Sequence, residues 1–113
     1  MISYEDFKKV ELKTVTIQSA QRVEGSEKLL QLRVVEGKTP EGEEVTRQIV
    51  AGIGKKYEPE VLIGKTIIIV ANLEPRSLMG LESQGMLLAA SNESEGPILL
   101  TTFEGVAPGS EIR

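Results

Sequence analysis

The chain has 113 residues, 40% of them hydrophobic, which suits one domain with a single small core. Thirteen Lys and Arg residues stand against seventeen Asp and Glu residues, and this net charge of −4 excludes a generally basic nucleic-acid coat protein. The absence of His and Cys excludes, within one chain, disulfides, Cys/His zinc sites and every Ser-His or Cys-His nucleophile.

A short N-terminal helix is the first predicted element. Ser3 occupies a capping position with the acidic Asp6 three residues further on, and one or two helical turns carrying Phe7 and Val10 follow. An irregular arm is the alternative for this segment.

Three half-buried strands come next, because apolar and polar residues alternate at residues 13–19, 30–35 and 45–53. Polar turns at residues 23–27 and 37–44 separate them. In the third strand, the spacing places Arg47 and Ile49 on one face.

One or two turns of helix are predicted within residues 55–63. Pro59 suits the first helical position, and Gly64 suits the position just past the end. Residues 66–70 are nearly all β-branched and predict a central strand that is buried on both faces.

The remaining chain is predicted to contain a structured loop at residues 72–85 and strands at residues 86–90 and 98–101. Five to seven short strands with one short helix are typical of a small closed β-barrel. The helix between the third and fourth strands has the position that an OB-fold gives it.

Charge is distributed unevenly along the chain. Residues 47–76 hold five Lys or Arg against three Glu, a net charge of +2, whereas residues 77–113 hold one Arg against five Glu, a net charge of −4. The middle of the chain is therefore mildly basic, and an ordinary mixed surface is the alternative interpretation.

The segment Asn72-Leu73-Glu74-Pro75-Arg76-Ser77-Leu78-Met79-Gly80, followed by Ser83-Gln84-Gly85-Met86, resembles a known module. It is similar to the tRNA-binding domain appended to many methionyl-tRNA synthetases, which also occurs as a free-standing dimeric tRNA-binding protein and in endothelial-monocyte-activating polypeptide. Blocks at residues 6–12, 23–30 and 47–65 are also similar, so the resemblance covers about residues 6–109.

The resemblance implies an all-β fold, an OB-fold five-stranded barrel with a short helix between strands 3 and 4 plus N- and C-terminal extensions. Residues 1–113 are expected to form a single such domain that binds tRNA by shape. It is expected to be a homodimer with contacts through the N-terminal segment and the C-terminal strands. It would be free-standing, a separate subunit or an excised appendage, with a methionyl-tRNA synthetase catalytic subunit as a further partner.

A chaperone-like secretion protein shares this fold and is the alternative, as a chaperone-like or protein-interaction module. It typically lacks the Ser-Gln-Gly-Met run, and the intact run at residues 83–86 favours the tRNA-binding branch.

The predicted tRNA contacts are Lys28, Arg33, Arg47, Asn72, Arg76, Ser83, Gln84 and Met86. The planar fork of Arg76 suits phosphate oxygens, with a salt bridge to Glu74 or Glu82 as the alternative. The amide of Asn72 suits a phosphate or a 2′-hydroxyl, with local loop capping as the alternative.

The strand residues Arg33 and Arg47 are expected to share the face of strands 2 and 3 that an OB-fold uses for ligands. The resemblance assigns Ser83 and Met86 to the tRNA contact. In the alternative, Gly85 only turns the chain and Met86 is a core residue. Lys55, Lys56 and Lys65 are weaker candidates.

No catalytic residue, metal or cofactor is expected, and a hydrolase built on Glu58 and Glu60 is disfavoured because His and Cys are absent. Four aromatic residues argue against a stacking platform for single strands. No apolar run approaches about 18 residues and the N-terminus lacks an apolar signal core, so a cytoplasmic protein without membrane contact is predicted.

Overall fold

A strongly curled antiparallel sheet forms most of the molecule, so the predicted all-β fold is confirmed. The computed structural model describes all 113 residues. The strands are β1 (Leu12–Arg22), β2 (Leu30–Lys38), β3 (Glu44–Ala51), β4 (Thr66–Val70), β5 (Arg76–Leu78), β6 (Leu81–Ser83), β7 (Met86–Leu87), β8 (Ala89–Asn92), β9 (Gly96–Leu99) and β10 (Glu111–Ile112).

The main sheet has the strand order β3-β2-β1-β4-β7, with β10 added beside the start of β1. The long strand β1 pairs with β4 through residues 12–16 and with β2 through residues 16–22. A register shift between Ile17 and Ser19 marks the irregularity where the strand changes partners. Such irregularities increase local twist and bend a strand, which curls this sheet into a half-barrel.

Two short helices flank the sheet, and both were predicted. In α1 (Tyr4–Lys8) the Ser3 Oγ accepts a hydrogen bond of 3.1 Å from the Asp6 backbone N–H, as the capping pattern requires. In α2 (Pro59–Leu62), between β3 and β4, Pro59 stands at the start and Gly64 has the positive φ of 86° that a helix exit favours. No helix is long and apolar enough to span a membrane.

The second half of the chain differs from the prediction in detail. The loop at residues 72–85 contains the hairpin β5–β6, and the strand predicted at residues 86–90 is divided into β7 and β8. The strand predicted at residues 98–101 corresponds to β9, which pairs with β8 in a separate hairpin. Strands of two to four residues are too short for apolar alternation to identify them.

The core fills the inside of the curled sheet. Ten residues form it: Val15, Ile17, Leu30, Leu32, Val34, Ile49, Ile53, Leu62, Ile67 and Ile69. A smaller cluster of Val23, Leu29 and Val50 lies outside it, covered by Leu78 and Leu81 of the β5–β6 hairpin.

An ion pair links neighbouring strands at the edge of this core. Arg47 on β3 donates to both carboxylate oxygens of Glu36 on β2, at 2.8 Å from Nε and 2.7 Å from Nη2. Lys13 on β1 donates to the same carboxylate at 3.2 Å. These hydrogen bonds hold the pKa of Glu36 below its usual range, against the opposing effect of burial, and the pairing raises the pKa of Arg47.

We expect Glu36→Gln to lower the free energy of unfolding by about 2 kcal/mol at neutral pH, because the amide leaves Arg47 without its bidentate partner. The lowered folded-state pKa means that this stabilisation is complete above the unfolded-state pKa of about 4.3. It is lost as the pH falls through the folded-state pKa.

Urea denaturation of wild type and variant should therefore give free energies of unfolding that converge as the pH falls below the unfolded-state pKa of about 4.3. Glu93→Gln, at an exposed position, is the matched control and should stay within about 0.5 kcal/mol of wild type. Equal effects of the two substitutions would contradict this role of Glu36.

Candidate nucleic-acid interface

Two loops meet at one end of the sheet. The turn between β1 and β2 supplies Val23 and Leu29 to the small outer cluster, and the β5–β6 hairpin covers that cluster with Leu78 and Leu81. A methyl group built on Gly25 of the turn would lie 3.2 Å from Met79 Cε of the hairpin. OB-folds bind oligonucleotides and oligosaccharides with the corresponding two loops and the face of strands 2 and 3, so this end is the candidate interface.

The β5–β6 hairpin presents Arg76 to solvent. Arg76 begins β5 opposite Ser83, and no carboxylate lies within 4 Å of its guanidinium, so the salt bridge to Glu74 or Glu82 is not formed. Beside it lies a groove of 370 Å³ that is also lined by Ser83 and Met86. The structure thus brings three predicted contact residues together, with Met86 exposed rather than in the core.

Ser83 and Gln84 hold this loop against the free edge of β3. The Ser83 Oγ accepts from Val50 N–H at 2.9 Å and donates to Gly85 C=O at 2.9 Å. The Gln84 Oε1 accepts from Gln48 N–H at 2.9 Å, and Gln84 N–H donates to Gln48 C=O at 2.8 Å. Ser83 is only 4% exposed, so its hydroxyl holds the loop to β3 beside the groove.

Gly85 is required by a close approach between backbones. Its φ of 137° lies where side chains are rarely found, and a Cβ there would sit 2.9 Å from Val70 C=O. This contact brings Gly85 against the end of β4, next to the Gln84 bonds that attach the loop to β3.

The prediction that Arg47 shares a face with Arg33 is wrong. The β2–β3 register pairs Arg33 with Gln48 and Val34 with Arg47, so Arg47 lies on the face of the buried Val34. Its guanidinium also donates to Ala71 C=O at 2.9 Å and Gln84 C=O at 2.8 Å. The Arg47 guanidinium therefore bonds only to groups of the protein, and two of these bonds hold the loop at Ala71 and Gln84.

Asn72 joins the start of the loop to the N-terminal segment. Its Oδ1 accepts from Glu11 N–H at 2.9 Å, and its Nδ2 donates to Lys9 C=O at 2.7 Å. Ala71 N–H adds a bond of 2.7 Å to Glu11 C=O. These partners are distant in sequence, so the local loop capping considered as the alternative for Asn72 is not formed.

Lys28 and Arg33 lie at the interface without a carboxylate within 4 Å. The Lys28 side chain lies over Gly52. The backbone C=O of Lys28 accepts a hydrogen bond of 2.6 Å from Gly54 N–H, and this bond brings the following residues Lys55 and Lys56 to the same end of the sheet. Lys65 lies elsewhere, beside Tyr57 in a groove against α2 and β9.

Sequence reasoning missed three glutamines, Gln21, Gln31 and Gln48, that lie with Arg33 and Ser19 around a depression of 190 Å³. Gln31 lies between the buried Leu30 and Leu32, and this was the signal that could have revealed it, whereas Gln21 and Gln48 are not flanked by buried residues on both sides. Polar residues in half-buried strands are common, however, and only the register shows that they lie together.

Comparison with known proteins identifies the module. A family model described as "Putative tRNA binding domain" matches residues 12–111. A methionine–tRNA ligase of Caldanaerobacter subterraneus subsp. tengcongensis is 56% identical over 98% of this chain, and the chain spans about 16% of that relative's length.

Two solved structures share the complete fold. A MetRS-related protein from Pyrococcus horikoshii has a TM-score of 0.88 and 33% identity, covering 100% of this chain and 98% of that one. The chaperone CsaA of Bacillus anthracis has a TM-score of 0.85 and 28% identity, covering 100% of this chain and 99% of that one.

The close approach at Gly85 predicts a strong effect of a single methyl group. Gly85→Ala should lower the free energy of unfolding by about 2–4 kcal/mol, because the Cβ meets a carbonyl oxygen and the backbone conformation is unfavourable for alanine. Gly105→Ala is the control, since nothing lies within 4 Å of its added Cβ. Denaturant titrations that place both variants near wild type would contradict this account of the loop.

Proposed function

The chain belongs to the tRNA-binding domain family, and from this premise we propose that it binds folded tRNA through the two loops and the β2–β3 face described above. It would catalyse no reaction itself. Residues 1–113 would act as one binding domain, in the cytoplasm where its ligand is found.

Three cations without carboxylate partners carry this proposal: Lys28, Arg33 and Arg76. They lie on the elements with which OB-folds bind nucleic acid, and their charges are available to phosphate oxygens. The interface has few aromatic residues to stack on, which favours a ligand recognised by shape over splayed bases.

The eight predicted residues divide into two roles under this proposal. Lys28, Arg33, Arg76 and Met86 contact the RNA. The other four position these contacts through hydrogen bonds to the backbone: Arg47, Asn72, Ser83 and Gln84. The exposed amide of Gln84 is also available to the RNA.

Homodimerisation is part of the proposal, supported by apolar residues at both ends of the chain. No residue of α1 is buried, and a five-residue helix has no stability of its own without a packing partner. Both the N-terminal and the C-terminal segments expose large apolar side chains, namely Met1, Ile2, Tyr4, Phe7, Val10, Ile98, Leu100, Phe103 and Val106. A second copy would cover these surfaces and present two RNA-binding ends.

Synthetase assistance is the expected biological context. Most of the length of the matched methionine–tRNA ligases lies outside the region similar to this chain. Held next to such a catalytic region, in one chain or as a subunit, the module would raise tRNA affinity by effective concentration.

A chaperone-like module remains the second candidate, favoured by the shared fold of CsaA and by the exposed apolar segments. A filter-binding titration with bulk tRNA at low and moderate salt separates the two. Salt-sensitive binding is expected, and its absence would overturn tRNA binding in favour of the chaperone-like role.

Arg76→Ala should weaken tRNA binding several-fold and reduce the slope of log affinity against log salt by about 1 or less, because one phosphate contact is lost. Ser83→Ala should also weaken binding, through loss of loop position. Neither should change the mass measured by sedimentation. Lys38→Ala, which removes an exposed cation at the opposite end of β2, is the control and should bind like wild type.

Phe103→Asp should shift the sedimenting mass from dimer towards monomer, because it places a charge in the proposed apolar contact. Val61→Asp alters an exposed apolar residue of α2, outside the terminal segments, and should leave the mass unchanged. A monomeric wild type at micromolar concentration would refute the dimer.

A further inference from the structure

Three glutamines from neighbouring strands form a continuous hydrogen-bonded row on the outer face of the sheet, here called the amide ladder: Gln21 on β1, Gln31 on β2 and Gln48 on β3. Gln21 Nε2 donates to Gln31 Oε1 at 2.9 Å, and Gln31 Nε2 donates to Gln48 Oε1 at 2.8 Å. Gln48 Nε2 donates to Glu82 C=O at 2.9 Å, which connects the ladder to the β5–β6 hairpin.

The direction of every amide in the ladder is fixed by its last link. A backbone carbonyl only accepts, so Gln48 must turn its Nε2 towards Glu82 and its Oε1 towards Gln31. The same constraint passes to Gln31 and then to Gln21, because a reversed amide would set two donors or two acceptors against each other. The ladder is therefore an oriented array.

Unused hydrogen-bonding capacity remains along the array. A primary amide has two N–H donors and two acceptor lone pairs, and each ladder amide spends one N–H on its neighbour. A second N–H and at least one lone pair therefore remain on each residue. Gln31 and Gln48 are only half-buried and Gln21 is exposed, so a ligand can reach these groups.

The surroundings of the ladder define the ligand chemistry. The depression it borders contains Ser19, Leu32 and Arg33, with no carboxylate and no aromatic ring. Arg33 has no acidic partner, so the local charge is positive in a chain of net charge −4. A site of paired donors and acceptors beside one cation matches a sugar hydroxyl next to a phosphate.

We infer that the amide ladder binds ribose 2′-hydroxyls of the RNA backbone while Arg33 binds an adjacent phosphate. The 2′-hydroxyl is both donor and acceptor, which complements an amide that keeps one free group of each kind. The ladder is then the element that selects RNA through its sugar. This inference rests on the proposed function and adds a specificity determinant to it.

The test compares an unmodified tRNA transcript with one of the same sequence carrying 2′-fluoro nucleotides, which keep the A-form sugar but cannot donate a hydrogen bond. The full chain is titrated with each at constant salt. Wild type should bind the unmodified transcript about five- to tenfold more tightly, the effect of one or two hydrogen bonds. Gln31→Leu, which breaks the centre of the ladder, should bring this ratio close to one.

Gln21→Leu breaks only the exposed end link, so it tests the ladder without risk to the fold and should lower the ratio as well. Gln18→Leu is the matched control, since Gln18 lies on the same strand but bonds to Glu44 outside the ladder. It should retain the wild-type ratio.

The outcomes distinguish this inference from the proposed function. Equal binding of both transcripts by wild type, or an unchanged ratio in both ladder variants, would overturn the role of the ladder alone. Absence of salt-sensitive binding to either transcript would overturn tRNA binding itself.

Discussion

The bidentate pair between Arg47 and Glu36 is the constraint on which the arrangement of the binding end depends. The pair bridges β2 and β3, and Lys13 of β1 donates to the same Glu36 carboxylate. The remaining Arg47 nitrogen, Nη1, donates to the backbone C=O groups of Ala71 and Gln84. Because the pair is largely withdrawn from water, removing either partner would leave a poorly solvated charge. One guanidinium thus fixes both ends of the loop at residues 72–85, which connects β4 to β7 and contributes no strand to the main sheet.

This use of Arg47 changes how the charge of the chain is understood. Sequence counting gave residues 47–76 a net charge of +2, but Glu36 neutralises Arg47 from outside that segment. Arg22 is likewise paired, with Glu58 at 3.0 Å. The cations that remain available are brought together by folding, as when the bond between Lys28 C=O and Gly54 N–H sets Lys28 near Lys55 and Lys56. An acidic protein can therefore present a local basic end, and binding there is expected to be moderate and oriented.

Local patterns predicted the parts of this fold that depend on local physics. The Ser3 cap, the exit at Gly64 and the alternation of Arg33 with buried neighbours each follow from a few adjacent residues. What was missed depends on partners far apart in sequence. The spacing of Arg47 and the buried Ile49 already set Arg47 on the core face, but its bonds to Glu36, Ala71 and Gln84 reach other elements. Asn72 finds its partners more than sixty residues away. Neither register nor long-range pairing is contained in the period of one strand.

The Ser-Gln-Gly-Met run illustrates how a recognisable motif differs from a contact list. Ser83 and Gln84 satisfy backbone groups of β3, and Gly85 allows the carbonyl of Val70 to approach closely, so most of the run serves to attach the loop to the edge of the sheet. Only then is Met86 placed beside Arg76 at the groove. A related fold without the run could keep the curled sheet but would need another way to cover the edge of β3, because unpaired strand edges are a liability. The run therefore holds the loop that carries Arg76 in one geometry against β3, and a fixed loop places the exposed Arg76 guanidinium at a defined point of the groove.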